Sequence, residues 1–347
     1  MSRHRKPGGP PGIVDVAARA GVSIATVSRA FTHPEMVRPA TRQRIEEAAR
    51  DLGYIRDRVA GSLHNRFSGT VGLIVPTIDN AIFAEMIEAF ATRLRAHDRT
   101  MLIAAHGYDL SLETGIVRSL LERRIDGVVL IGFAHEQVPL TMLERRGVPA
   151  MSIWNYDAAS SLPCIGADNR QAAHLVTEHL VRLGHRDIAF LFPEAQANDR
   201  ARDRIEGAMR AMSAAGIAVP ARRWIDCPYD MGRAKALACD LLAGDAPTAI
   251  VCGNDVIAHG VVFAATALGV RVPQDLSVVG IGDLRGSAEL EPGLTTVRLP
   301  ARRIGTLAAD AIVAMSESGS PPDPYRHRVE VTFTRRGSTM AAPGGAQ

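Results

Sequence analysis

Residues 13–31 read IVDVAARAGVSIATVSRAF. Ile13, Val16, Ala17 and Ala20 recur at i, i+3, i+4 and i+7, the spacing of a helix with one apolar face. Asp15 falls in its first turn, where a negative charge meets the positive end of the helix dipole. Gly21 then ends the helix, because glycine enters the left-handed backbone region without Cβ strain. Ser23 is placed to cap a second helix, IATVSRAF. A third, TRQRIEEAARDL (41–52), follows Pro39 and stops at Gly53. Its Ile45, Ala48, Ala49 and Leu52 are expected to close a small core with Val22, Val27 and Phe31.

Two helices joined by so tight a turn can present the second to the major groove of duplex DNA. On that second helix Ile24, Ala25 and Arg29 are the candidates for base edges. Arg29 suits the O6 and N7 of a guanine, and Ile24 and Ala25 suit thymine methyls. Ser23, Thr26 and Ser28 carry hydroxyls fit for phosphates or for capping. The competing reading is an ordinary three-helix surface with scattered hydroxyls.

Charge is spread in keeping with a polyanion-binding head. The 347-residue chain has a formal net charge of +3, yet residues 1–66 hold twelve Lys or Arg against six Asp or Glu, which leaves about −3 for the rest. A chain this long exceeds one compact core and implies two or three domains. At 46% apolar and 5% aromatic it suits a folded α/β protein and not a disordered one. The opening MSRHRKPGGPPG is basic but precedes no apolar h-region, so residues 1–11 read as a floppy tail rather than a secretory signal. No apolar run approaches the roughly 20 residues that span a bilayer. Cys164, Cys227, Cys239 and Cys252 lack metal-ligand spacing and read as reduced thiols. A cytoplasmic location with neither cofactor nor membrane partner is expected.

From Val71 the pattern changes. VGLIVP, TMLIAA, DGVVLIG and VPAMSI are short apolar runs separated by helical patterns, and DIAFLF, TAIVCG and LSVVGIG form a second such series. Strand alternating with helix implies parallel sheets wound on both faces, here as two similar lobes. The expected fold is an all-α helix-turn-helix head (12–55), a basic linker (56–69) and an α/β core (70–335). Within the core the first lobe takes about 70–167 and 300–325, the second about 168–297, and a polar tail follows from 336 to 347. STMAAPGGAQ carries no leucine heptads, so a coiled-coil tetramer is not expected.

In such sheets small ligands lie at the C-terminal ends of parallel strands. Thr77, Asp79 and Asn80 follow the first run, His106 and Tyr108 the second, and Trp154 and Asn155 end the fourth. Asp168 stands where the chain crosses to the second lobe; there Arg204 heads a helix in the pattern RIEG, Asn254 follows IVCG and Asp283 follows VVGIG. For each, the plainer reading is a loop residue capping the next helix. For Arg204 a ligand role weighs more, because a buried guanidinium needs an anionic or polar partner.

An enzyme is disfavoured. The core has no GxxxxGK[ST] phosphate loop, no nucleophile elbow and no HExxH, and His174, His179 and His185 read as solvated or capping residues. A transport-type binding protein fits the core alone and conflicts with the head.

GIVDVAARAGVSIATVSRAF followed by VRPATRQRIEEAARDLGY closely resembles the head of the lactose/galactose-repressor (LacI) family. The resemblance continues through VGLIVPTIDNAIFAE, RRIDGVVL, GADNRQAAHLVTEHLVRLGHRDIAFL, GND and LTTVRLPARRIG, from Gly12 to about Arg335. It implies a homodimeric transcriptional regulator on operator DNA, with a periplasmic-binding-protein-like core whose cleft takes a small effector. Thr41 and Tyr54 then join the DNA-contacting set, and the linker matches a hinge helix with Arg58, Ala60 and a minor-groove wedge, Leu63. Arg56 and Asp57 depart from the family's Pro-Asn, and Gly61 weakens that helix by about 1 kcal/mol against alanine. In the family, residues matching Asp168, Arg204 and Asn254 contact sugar hydroxyls. Many sugar-binding members carry two carboxylates where this chain has Gly282 then Asp283, which makes the cleft more hospitable to an anion. PTIDNAIFAE, HGYDLSLE, SIWNYD and GIGDL most resemble gluconate-operon repressors. The expected effector is therefore a sugar acid, its carboxylate on Arg204 and its carbon chain on Trp154; a neutral or phosphorylated sugar is the alternative.

Overall fold

The computed structural model describes residues 10–55, 67–319 and 326–343. It divides into two compact units, Met1–Ser68 and Gly69–Gln347. Arg58, Ala60 and Leu63, the expected hinge contacts, lie outside the described residues.

In the first unit α1 (Ile13–Ala20), α2 (Ile24–Thr32) and α3 (Pro39–Leu52) enclose one small core. Val16, Ala17, Ala20, Val27, Ala30, Ile45, Ala48 and Ala49 are buried in it, with Ile13, Val22, Phe31, Leu52 and Tyr54 packed at its edge. Gly21 sits at φ 62°, and its N–H closes α1 on the Ala17 and Ala18 carbonyls. α3 starts two residues earlier than its pattern suggests, because Pro39 supplies a preset φ at the first turn, where its missing N–H costs nothing.

The second unit is two six-stranded sheets. The first joins β1 (Thr70–Val75), β2 (Thr100–Ala105), β3 (Gly127–Ile131), β4 (Ala150–Asn155), β5 (Cys164–Ala167) and β11 (Arg326–Val329), in the order β11-β5-β4-β3-β1-β2. The second joins β6 (Ile188–Phe192), β7 (Trp224–Asp226), β8 (Ala249–Cys252), β9 (Ser277–Gly282), β10 (Thr295–Arg298) and β12 (Thr332–Thr334), in the order β12-β10-β9-β8-β6-β7. All pairings are parallel except β10 with β12. β3, β6, β8 and β9 are buried throughout, as strands covered by helices on both faces must be.

Helices α4 (Ala81–Ala96), α5 (Glu113–Glu122), α6 (Gln137–Arg145) and α11 (Ala301–Ser318) belong to the first lobe. The second has α7 (Asn169–Arg182), α8 (Asp199–Ala214), α9 (Met231–Ala243) and α10 (Asp255–Leu268). α4 packs on α11, and α7 on α8 so tightly that a Cβ at Gly207 would collide with the Arg170 carbonyl.

Two sequence expectations need correction. Strands β5, β7, β10, β11 and β12 fall outside the apolar runs: each has three or four residues, too few to show a period. The chain therefore crosses between sheets three times, after β5, after β10 and between β11 and β12. Residues 336–343 are no tail either. Ser338 is fully buried, its Oγ donates to the Val278 carbonyl at 2.6 Å and accepts from the Thr295 N–H at 2.8 Å. Polar side chains bonded to backbone leave no hydrophobic signature to read.

Candidate functional site

On the head, Ser23 Oγ accepts the Thr26 N–H at 3.1 Å, an N-cap that starts α2 where the turn ends. The same two hydroxyls lie 2.8 Å apart. Val27 and Ala30 face the core, so Ile24 with Ser28 and Ala25 with Arg29, each pair four residues apart, share the outward face. All four are exposed, Ile24 by 48%. Thr41 and Tyr54 are half-buried, and the Tyr54 ring leans on Phe31 with 6.1 Å between centroids.

In the core, Asn80, His106 and Asn254 are the residues whose buried side-chain polar atoms lack a hydrogen-bond partner among the described residues: Asn80 Nδ2, His106 Nδ1 and Asn254 Nδ2. Both asparagines spend only their oxygens. Asn80 Oδ1 caps α4 through the Ile82 N–H at 3.2 Å, and Asn254 Oδ1 caps α10 through the Ile257 N–H at 3.0 Å. His106 is 5% exposed, and burial holds its pKa below the ordinary value against the pull of Glu113. Buried polar atoms without partners are rare in folded proteins and expensive. These three residues follow β1, β2 and β8 and line neither of the two cavities between the lobes.

Arg204 lies in the second turn of α8, not at its head, because the helix begins at Asp199. It is 1% exposed; Nε donates to Asn169 Oδ1 at 2.8 Å and Nη1 to the Gly253 carbonyl at 2.7 Å. Burial lowers its pKa. The chain of contacts continues from Asn169 Nδ2 to Asn155 Oδ1 at 2.9 Å, and from Asn155 Nδ2 to Asp199 and Asp203. Arg200 Nη1 reaches Asp199 Oδ1 at 2.6 Å and the Ile131 carbonyl at 3.1 Å, and the Phe133 N–H donates to Asp199 Oδ2 at 3.0 Å. α8 of the second lobe is thus fastened to the ends of β3 and β4 in the first.

Beside this fastening a cavity of about 1080 Å³ opens between the lobes, with Ile82, Trp154, Asp283 and Arg298 in its wall. Residues in the first turns of α4, α9, α10 and α11 border it: Ala81, Met231, Val256 and Ala301. A smaller cavity of about 380 Å³ lies between Tyr108 of one lobe and Tyr229 of the other, rings 6.3 Å apart. Burial pushes the Tyr108 phenol far up, so it stays protonated.

Four expectations are revised by these contacts. Trp154 lines the large cavity but is only 1% exposed, held edge-on to Phe83 at 5.1 Å with a left-handed φ of 78°, so it offers no open face for stacking. Both Asp283 oxygens are occupied by arginines: Oδ2 by Arg298 Nε at 2.7 Å and Oδ1 by Arg336 Nη2 at 2.6 Å. Asp168 caps α7 through the Gln171 N–H at 2.9 Å and lines neither cavity. Asp79 is exposed in a turn on Thr77 and lines neither cavity. Sequence reasoning missed Asn169, Asp199, Arg200, Asp203, Tyr229, Arg298 and Arg336, none of which sits in a recognisable spacing.

A helix-turn-helix head on a two-lobed core with a ligand-sized cleft defines a DNA-binding regulator. Residues 12–57 match the bacterial regulatory proteins of the lacI family, and residues 177–339 match the periplasmic binding protein-like domain. The HTH-type transcriptional regulator GntR of Pseudomonas aeruginosa is 32% identical over 309 residues, 88% of this chain and 90% of its own. The solved transcription regulator GntR of Chromobacterium violaceum is 29% identical with a TM-score of 0.73, over 78% of this chain and 99% of that one. A lac repressor dimer, bound to operator and the anti-inducer ONPF, is 26% identical with a TM-score of 0.83, over 96% and 100%. The chain belongs to the LacI family: it is a DNA-binding transcriptional regulator and not an enzyme.

Proposed function

We propose that the chain is a repressor that binds a pseudo-palindromic operator as a homodimer and is controlled by a sugar acid, gluconate-like, held between the lobes. A dimer presents two heads, so protein symmetry is mirrored in the site. Arg29, Ile24 and Ala25 read bases; Ser23, Thr26, Ser28, Thr41 and Tyr54 hold the backbone; Arg58, Ala60 and the minor-groove wedge Leu63 are assigned by the family resemblance alone. The solved lac repressor dimer on its operator supports this arrangement by family likeness.

The observation that carries the effector reading is the trio of buried, unpartnered atoms on Asn80, His106 and Asn254. Two of the three are amide donors, and the carboxylates of Asp199, Asp203 and Asp283 already have partners. A ligand rich in acceptors completes such a site. Effector binding shifts the lobes and changes operator affinity by a coupling of roughly 1–3 kcal/mol. A regulator acting on chromosomal DNA works in the cytoplasm, and no helix among the described residues is long and apolar enough to cross a membrane.

The test uses the two tryptophans, Trp154 and Trp224. Purified protein is titrated with gluconate, other sugar acids and neutral sugars while fluorescence is recorded, with a Trp154→Phe control, and operator retention is measured beside it. A saturable response to an acid that also alters DNA retention supports the reading. A response to a neutral or phosphorylated sugar alone keeps the regulator and discards the sugar acid.

A further inference from the structure

Which group recognises the acid is a separate question, and its answer rests on the sugar-acid reading above. We infer that Arg298, positioned by Asp283 and Arg336, reads the anionic group of the effector, in place of Arg204.

A guanidinium grips a carboxylate through one of two edges, Nε with Nη2 or Nη1 with Nη2. Arg204 has Nε on Asn169 and one Nη1 hydrogen on the Gly253 carbonyl, so its Nε/Nη2 edge is broken and its donors are turned into the protein. Both contacts stay within the second lobe, and Arg204, 1% exposed, lines neither cavity. Arg298 is the converse. Its Nε and Nη2 both lie on Asp283 Oδ2, at 2.7 and 2.6 Å, which spends the inner edge and leaves the outer Nη1/Nη2 edge whole. The side chain is 62% exposed and lines the large cavity.

The support is rigid. Asp283 is 2% exposed, and its other oxygen is held by Arg336, whose Nη1 is anchored on the Leu294 carbonyl at 2.7 Å. Two guanidiniums share one carboxylate, so the cluster keeps a positive charge. Of the other acids of the cavity wall, Glu85 pairs with Arg285 at 3.3 Å and Glu88 with Arg302 at 3.0 Å, while Glu289, which accepts the Gly286 N–H at 3.1 Å, shares the wall with Arg303. First-turn residues of four helices border the same space, and Asn80 and Asn254, whose amides lack partners, cap two of those helices.

The experiment is fluorescence titration with potassium gluconate and with glucose, on the full-length wild type, Arg298→Ala, Arg298→Gln and Arg298→Lys. Loss of a charge-assisted contact should weaken gluconate binding roughly ten- to a hundredfold in the alanine and glutamine variants. Glucose binding should be unchanged, and lysine should restore part of the acid preference. Glutamine keeps a donor for Asp283, so it reports even where alanine disturbs folding. An acid preference preserved in both neutral variants overturns the assignment to Arg298 alone. A wild type that answers glucose and ignores gluconate overturns the sugar-acid reading, and the assignment with it.

Discussion

Asn155 Nδ2 lies 2.7 Å from Asp203 Oδ2 and 2.8 Å from Asp199 Oδ2, so one amide of the first lobe holds two carboxylates of the second. Asp203 also meets Arg170 at 2.8 Å. Even so, burial outweighs these partners and holds the Asp203 pKa above its ordinary 3.8. The folded state therefore binds a proton more tightly than the unfolded one. Stability from this group is greatest at low pH and falls as pH rises from 3.8 through the raised value. Asp203→Asn should flatten that part of the profile. Urea unfolding across the acid range checks it; the same slope in both proteins refutes it.

Arg29→Ala should cost roughly 1–3 kcal/mol at a cognate operator and relax base preference at one position of each half-site. Retention on cognate and random duplexes, compared over a salt series, decides it. Equal weakening on both would make Arg29 a phosphate contact instead.

Asn254→Ser keeps an oxygen to cap α10 and removes the unpartnered Nδ2. Thermal stability should stay within a few degrees while effector affinity drops roughly tenfold, the worth of one hydrogen bond to a charged ligand. Calorimetric melting beside a fluorescence titration reads both. Unchanged affinity would remove Asn254 from the site.

Gly21→Ala places a Cβ on a residue at φ 62°, which costs about 1–2 kcal/mol whatever space surrounds it. The head should melt earlier than the core and operator binding should weaken, with effector titration untouched. Circular dichroism of the full chain, with DNA retention at two temperatures, tests this; a head as stable as wild type would contradict the strain argument.

The head was legible almost residue by residue, because everything that shapes it is local. Helix faces repeat within eight residues, Gly21 and Ser23 act on their own turn, and the core of Val16, Val27 and Ile45 follows from those faces. The seven strands with apolar runs were legible too: β1, β3, β4, β6, β8 and β9 are buried along almost their whole length, which demands unbroken apolar runs, while β2 lies at the sheet edge. Their ends pointed to Asn80, His106 and Asn254, where the unpartnered atoms lie.

What only the tertiary structure decided is where the charges go. Asp283 meets Arg336 across 53 residues, Arg204 meets Gly253 across 49, and Asn155 meets Asp203 across 48. Charged and amide side chains carry no periodicity, and a hydrogen bond forms with whatever the fold brings within 3 Å. The sequence could therefore mark Arg204 and Asp283 as buried polar residues at a cleft. Only packing determined that Arg204 is spent on the protein itself and that Asp283 stands behind Arg298.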